Sequence, residues 1–114
     1  MRNLTKGLLI IVLLLTTLYN LANAQCTGCT MTISSSTSAT YTLTASDILC
    51  ITGGTFTGTI SAFPFGAKIC ISGGAAFNPV SMPNPSAGTI TINNNSSALL
   101  PAITTGTGFR IENY

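Results

Sequence analysis

A chain of 114 residues with four basic side chains, two acidic ones and no histidine has room for one small domain and little ionisable chemistry. Its formal charge of +2 falls to zero once Arg2 and Lys6 are set aside with the N-terminal segment, leaving Lys68 and Arg110 against Asp47 and Glu112. That balance excludes electrostatic capture of nucleic acid or anionic lipid, and the wealth of Thr, Ser, Gly, Ala, Ile and Asn is that of strands and turns.

Residues 1–24 read as a secretory signal peptide. Arg2 and Lys6 make a positive start, Gly7 to Leu18 is apolar apart from Thr16 and Thr17, and Ala22-Asn23-Ala24 is the small-x-small pattern of a cleavage site. The apolar run is shorter than the ~20 residues of a bilayer span. Gln25 before Cys26 replaces the small residue that lipid attachment needs, so a lipoprotein is set aside. The mature chain is then residues 25–114, exported to a compartment that permits disulfides, with no membrane span left after cleavage.

Residues 25–46 are expected to form an N-terminal cap or leading coil, because MTISSS and TYTLTAS alternate apolar with polar residues. Residues 47–114 then state one phrase four times: ILCITGG (48–54), KICISGG (68–74), TITINNN (89–95) and FRIENY (109–114). Leu49, Ile69, Ile90 and Phe109 align in one column, spaced 20, 21 and 19 residues apart, and Ile51, Ile71, Ile92 and Ile111 align in the next. Cys50, Cys70, Thr91 and Arg110 stand between them, the period-two pattern of a strand with one buried face. Each strand is followed by turn formers: Gly53 and Gly54, Gly73 and Gly74, Asn93 and Asn94 with Asn95, and Asn113. Gly and Asn adopt a positive φ most easily, so their exchange preserves a corner.

A strand and a corner every ~20 residues predict an all-β fold, a short parallel β-helix (β-solenoid) of about four coils, right-handed by the usual preference of parallel crossovers. A β-sandwich or meander is the alternative reading. A second strand per coil is expected within 55–60, 76–80 and 96–100, with Phe56 and Phe77 in the core; 62–66 and 82–88 carry prolines and read as loops. The last copy has no polar cap after it, which suggests a C-terminally truncated piece of something longer, or an end covered by a partner.

The run DILCITGGTFTGTIS, followed by AKICISGGAAFNPVSM and a TITINN strand, resembles the N-terminal region of large secreted surface proteins of gliding Gram-negative bacteria, the type IX secretion group. The resemblance spans roughly residues 40–114 and has no catalytic motif. It implies an extracellular or cell-surface location, a structural or adhesin-like role, and downstream modules of the same protein or surface glycans as partners.

The residues themselves offer little chemistry. Cys26 and Cys29 form a C-x-x-C that could be a redox pair or half a zinc site, but no helix pattern follows and no histidine completes a metal set. Four cysteines allow three pairings. Cys26 with Cys29 and Cys50 with Cys70 is the expectation, the latter pair standing on stacked rungs about 4.8 Å apart; a reduced ladder is the alternative. Asp47, offset by 21 residues from Lys68, is expected to form a surface ion pair with it, and Arg110 and Glu112 to pair or stay solvated on one strand. One Asp and one Glu, with no base to activate a serine, point to a non-enzymatic protein with no catalytic residues, cofactor or metal. Thr-rich segments keep an ice-binding solenoid as an alternative function. A carbohydrate-binding one is the other, which would need a row of exposed aromatics where only Tyr41 and Tyr114 qualify, apart from the core candidates and Phe63 and Phe65 in their loop. The N-x-S matches at Asn94 and Asn95 are weak signals.

Overall fold

Ile48-Leu49-Cys50-Ile51 places branched aliphatics two apart, and it folds as a strand whose Leu49 and Ile51 are fully buried. The computed structural model describes residues 5–14, 26–93 and 95–114. Residues 5–14 form a helix with exposed apolar side chains from Leu8 to Leu14, and no helix among the described residues is long and apolar enough to cross a membrane. The expected cleavage site at 22–24 lies outside the described residues.

Ten short strands follow: β1 Met31–Ile33, β2 Thr40–Thr42, β3 Ile48–Ile51, β4 Thr55–Phe56, β5 Thr59–Ala62, β6 Lys68–Ile71, β7 Ala76–Phe77, β8 Ala87–Ile92, β9 Ser97–Ala98 and β10 Gly108–Asn113. All pair in parallel, in three sheets ordered β1-β3-β6-β8-β10, β4-β7-β9 and β2-β5. The chain visits the sheets in rotation, so each circuit adds a rung to each face. This is a β-solenoid of stacked coils. Where two strands per coil were expected, there are three faces, because Gly58 turns the chain between β4 and β5. Its backbone lies so close to the Ala39 carbonyl of the coil beneath that a Cβ would overlap it. Bridges at Thr37 opposite Phe56, and at Ser81 opposite Thr59, carry the second and third faces where no full strand forms. The loop expected at 62–66 gives Ala62 to β5, and that at 82–88 gives Ala87 and Gly88 to β8.

The first sheet sets the register. Met31, Leu49, Ile69 and Ile90 stand opposite one another on successive rungs, as do Ile33, Ile51, Ile71 and Ile92. Leu49, Ile51, Ile69, Ile71 and Ile90 are wholly buried, each worth roughly 1.5–3 kcal/mol of transfer free energy. On the second face Phe56 stacks on Phe77, ring centroids 5.4 Å apart, and Tyr41 meets Phe56 edge-on at 5.8 Å.

The fourth copy departs from the expected alignment by two residues. Ile111, not Phe109, lies opposite Ile90; Asn113 lies opposite Ile92; and Phe109 lies opposite Gly88. The reason is steric. Gly88, at φ 127°, leaves room beside the Phe63 ring, and Phe109 fills it, edge-on to Phe63 at 6.2 Å. Asn113 therefore continues strand β10 and makes no corner. Ile111 sits in the ladder column but is 54% exposed, since nothing described covers that rung.

The corner column is Gly54, Gly74 and Asn95, with φ of 69°, 75° and 60°. Gly73 shares the left-handed conformation at 64°, whereas Gly53 does not; a Cβ there would meet the Ser34 carbonyl oxygen at 2.6 Å. Asn93 is buried and does not take a positive φ, its N–H donating to the Ile71 carbonyl at 2.8 Å, and Asn94 lies outside the described residues.

Ile69→Ala should cost about 2–5 kcal/mol by emptying the middle of the ladder, read as a lowered urea midpoint by circular dichroism. In the same assay Asn95→Gly should change stability by under about 1 kcal/mol, whereas Asn95→Val should cost about 1–2 kcal/mol, because a branched residue resists positive φ. Equal losses for both Asn95 variants would refute the corner assignment.

Candidate functional site

Residues that alternate with the ladder face outward, and the register arranges them in two columns. Ile48, Lys68, Thr89 and Arg110 form one; Thr32, Cys50, Cys70, Thr91 and Glu112 form the other. The two-residue change of register moves Arg110 out of the cysteine column, where the sequence alignment put it, and into line with Lys68.

Cys50 faces outward yet is fully buried, because residues 26–30 cross over it as a strap. The strap is fastened by disulfides Cys26–Cys70 and Cys29–Cys50, each with Cα atoms 5.7 Å apart. The expected pairs, 26 with 29 and 50 with 70, are both corrected. Cys50 and Cys70 are in-register neighbours on parallel strands, so their Cβ atoms project side by side about 4.8 Å apart, wider than the ~3.8 Å a disulfide prefers. The strap approaches from outside and meets each sulfur directly. With every cysteine bonded outside its own C-x-x-C, the motif is neither a redox pair nor a zinc clasp in this state, and no metal-ligand cluster occurs among the described residues.

The strap's seat is specific. Gly28, at φ 70°, rides over Ile48, and the Thr30 N–H donates to the Ile48 carbonyl at 3.0 Å while the Ile48 N–H donates to the Thr30 hydroxyl at 2.9 Å. Asn93 reaches beneath, its Nδ2 donating to Cys70 Sγ at 3.4 Å and lying 4.0 Å from Cys26 Sγ. A residue expected only to turn the chain thus also supports a disulfide, which its sequence position does not signal.

Asp47 is likewise reassigned. Its carboxylate accepts hydrogen bonds from the Thr44 N–H at 2.6 Å, the Thr44 hydroxyl at 2.8 Å and the Thr30 hydroxyl at 3.0 Å, so it ties the strap to the preceding corner instead of pairing with Lys68. The Thr44 backbone and side-chain donors, with Thr30, hold its pKa below the usual carboxylate value. Glu112 accepts from the Tyr114 hydroxyl at 3.3 Å.

Two shallow grooves flank Lys68. One, of about 420 Å³, follows the strap past Thr27, Ile48, Thr91 and Asn93. The other, of about 360 Å³, runs between the Phe65 turn and β10, past Thr89, Arg110 and Glu112. Phe65 is 77% exposed at the tip of a turn closed by the Ala67 N–H donating to the Pro64 carbonyl at 3.1 Å. On the first sheet Thr-x-Thr pairs occur at Thr30 and Thr32 and at Thr89 and Thr91, with the Ile48/Cys50 and Lys68/Cys70 rungs between them, so the described residues of that face form no continuous threonine array of the ice-binding kind.

No known protein family, curated protein or solved structure matches this chain.

Non-reducing peptide mapping should recover Cys26 joined to Cys70 and Cys29 joined to Cys50; recovery of 26 with 29 would overturn the strap. Cys26→Ala with Cys70→Ala should lower stability by about 2–4 kcal/mol. Asp47's folded pKa is depressed, so its stabilisation is present above the unfolded value and lost as pH falls through the folded one. Asp47→Asn should therefore flatten the acid limb of a stability–pH curve recorded by circular dichroism, and an unchanged limb would contradict the Thr44–Asp47–Thr30 network.

Proposed function

We propose that this chain is a secreted, non-enzymatic module of the bacterial cell surface, the first coils of a larger structural or adhesive protein. The observation that carries the reading is the β10 rung. Its Ile111 continues the column of Ile90 but lies open, and the strand's outer edge presents unpaired backbone groups, a surface suited to another parallel rung. Further coils of the same polypeptide would cover it, as the resemblance to surface proteins of gliding bacteria suggests.

Two disulfides suit an oxidising, extracellular setting, and the N-terminal apolar segment suits export. The chemistry supports a scaffold over a catalyst. Asp47 stands on the second rung and Glu112 on the fifth, offset by roughly 14 Å along the axis alone, beyond the ~5–9.5 Å of a glycosidase carboxylate pair.

Reading the genomic frame beyond the Tyr114 codon tests this. Continued Ile-x-Ile copies ending in Gly or Asn, leading to a sorting domain, are the expected result; a true stop codon at that point sinks the larger-protein reading.

A further inference from the structure

We propose that the groove beside Phe65 is a binding site for an acidic polysaccharide with one carboxylate per sugar, lying along the solenoid axis. This deepens the adhesive reading by naming a ligand class, although the site's geometry stands apart from whether the chain continues.

The solenoid has two cationic side chains, and both point from the same outward column. Lys68 on β6 and Arg110 on β10 stand two rungs apart, roughly 10 Å, with Thr89 between them. That distance is close to the axial repeat of an extended, two-fold polyuronate, so alternate carboxylates along such a chain would meet Lys68 and Arg110, and the Thr89 hydroxyl would face the sugar between. Guanidinium and ammonium are the natural partners of carboxylate, Arg through its planar fork.

Both cations are exposed, and the two acids of the solenoid make their hydrogen bonds to other partners. Asp47 accepts from Thr44 and Thr30, away from Lys68, whereas Glu112 accepts from Tyr114 and keeps its charge at the edge of the groove. Phe65 lines the same groove as an exposed ring, while its neighbour Phe63, two residues earlier, is buried against Phe109. An aromatic face beside cations fits a sugar whose one face carries C–H groups and whose edge carries charge. Glu112 at the groove margin opposes an anion and limits the affinity.

The test uses the full oxidised chain, a β-1,4-linked mannuronate hexamer and the neutral hexamer cellohexaose, with binding followed by amide chemical-shift titration. The mannuronate should bind with Kd of about 1 mM at low salt, and weaken about fivefold or more when NaCl is raised from about 50 mM to about 500 mM. Lys68→Gln and Arg110→Gln should each weaken binding about fivefold, and Glu112→Gln should tighten it about twofold. Phe65→Ser should weaken both the affinity and the shifts at Gly66 and Ala67. These are surface changes, and unaltered thermal melts would show that the fold is kept. Equal binding of the neutral hexamer, indifference to both cation variants, or selective binding of a sulfated oligosaccharide would each overturn the assignment. Absence of binding together with a reading frame that continues past Tyr114 would remove the site while leaving the scaffold reading intact.

Discussion

Everything in this molecule depends on in-register parallel stacking of the first sheet. Once Leu49 stands over Met31 and Ile69 over Leu49, each rung's inward aliphatics find cover only in the rungs above and below. Backbone hydrogen bonding fixes the spacing, and burial fixes which of two registers is chosen, because a one-residue slip would turn Cys50 and Lys68 inward. The second-face stack of Phe56 on Phe77 and the corner glycines follow from that choice. The buried hydrophobics among the described residues form one cluster, with no second core to fall back on.

The same stacking explains how a protein with so few charges can display them coherently. Outward side chains inherit the register of the ladder, so residues 42 apart in sequence, Lys68 and Arg110, come into one line. A rigid column substitutes for density of charge. The opposite arrangement holds at the strap, where outward positions are used for covalent attachment and Cys50 is closed to solvent.

Much of this was legible in the sequence because a repeat reports its own register. Leu49, Ile69 and Ile90, and Ile51, Ile71 and Ile92, alternate so regularly that stacked strands satisfy all three copies better than a sandwich does, and Gly54, Gly74 and Asn95 mark the corner between faces. The fourth copy was misread because Phe109 looks like a ladder residue; its true place depends on a vacancy at Gly88 next to Phe63, a contact between coils that no local pattern reveals. The disulfides were misread for a related reason. Spacing suggests which cysteines are near each other, but pairing depends on the direction from which each Cβ is approached, and the strap's path over the sheet has no periodic signal. Asp47 illustrates the same limit, since Thr44 and Thr30 compete with Lys68 for it through short hydrogen bonds that sequence distance does not rank.

The Cys26–Cys70 bond also determines how mechanical tension would travel through the solenoid. A pull between the start of the strap and the C-terminal rung enters at Cys26, crosses the bond to Cys70 and continues along the chain from there. The residues between, across a sequence separation of 44, lie outside that line of force, so the first two coils would bear no tension while the later rungs peel. Cys29–Cys50 closes a second loop inside the first. In a tether exposed to fluid drag, the covalent strap would make the N-terminal coils a shielded anchor and leave extension to the coils beyond Cys70.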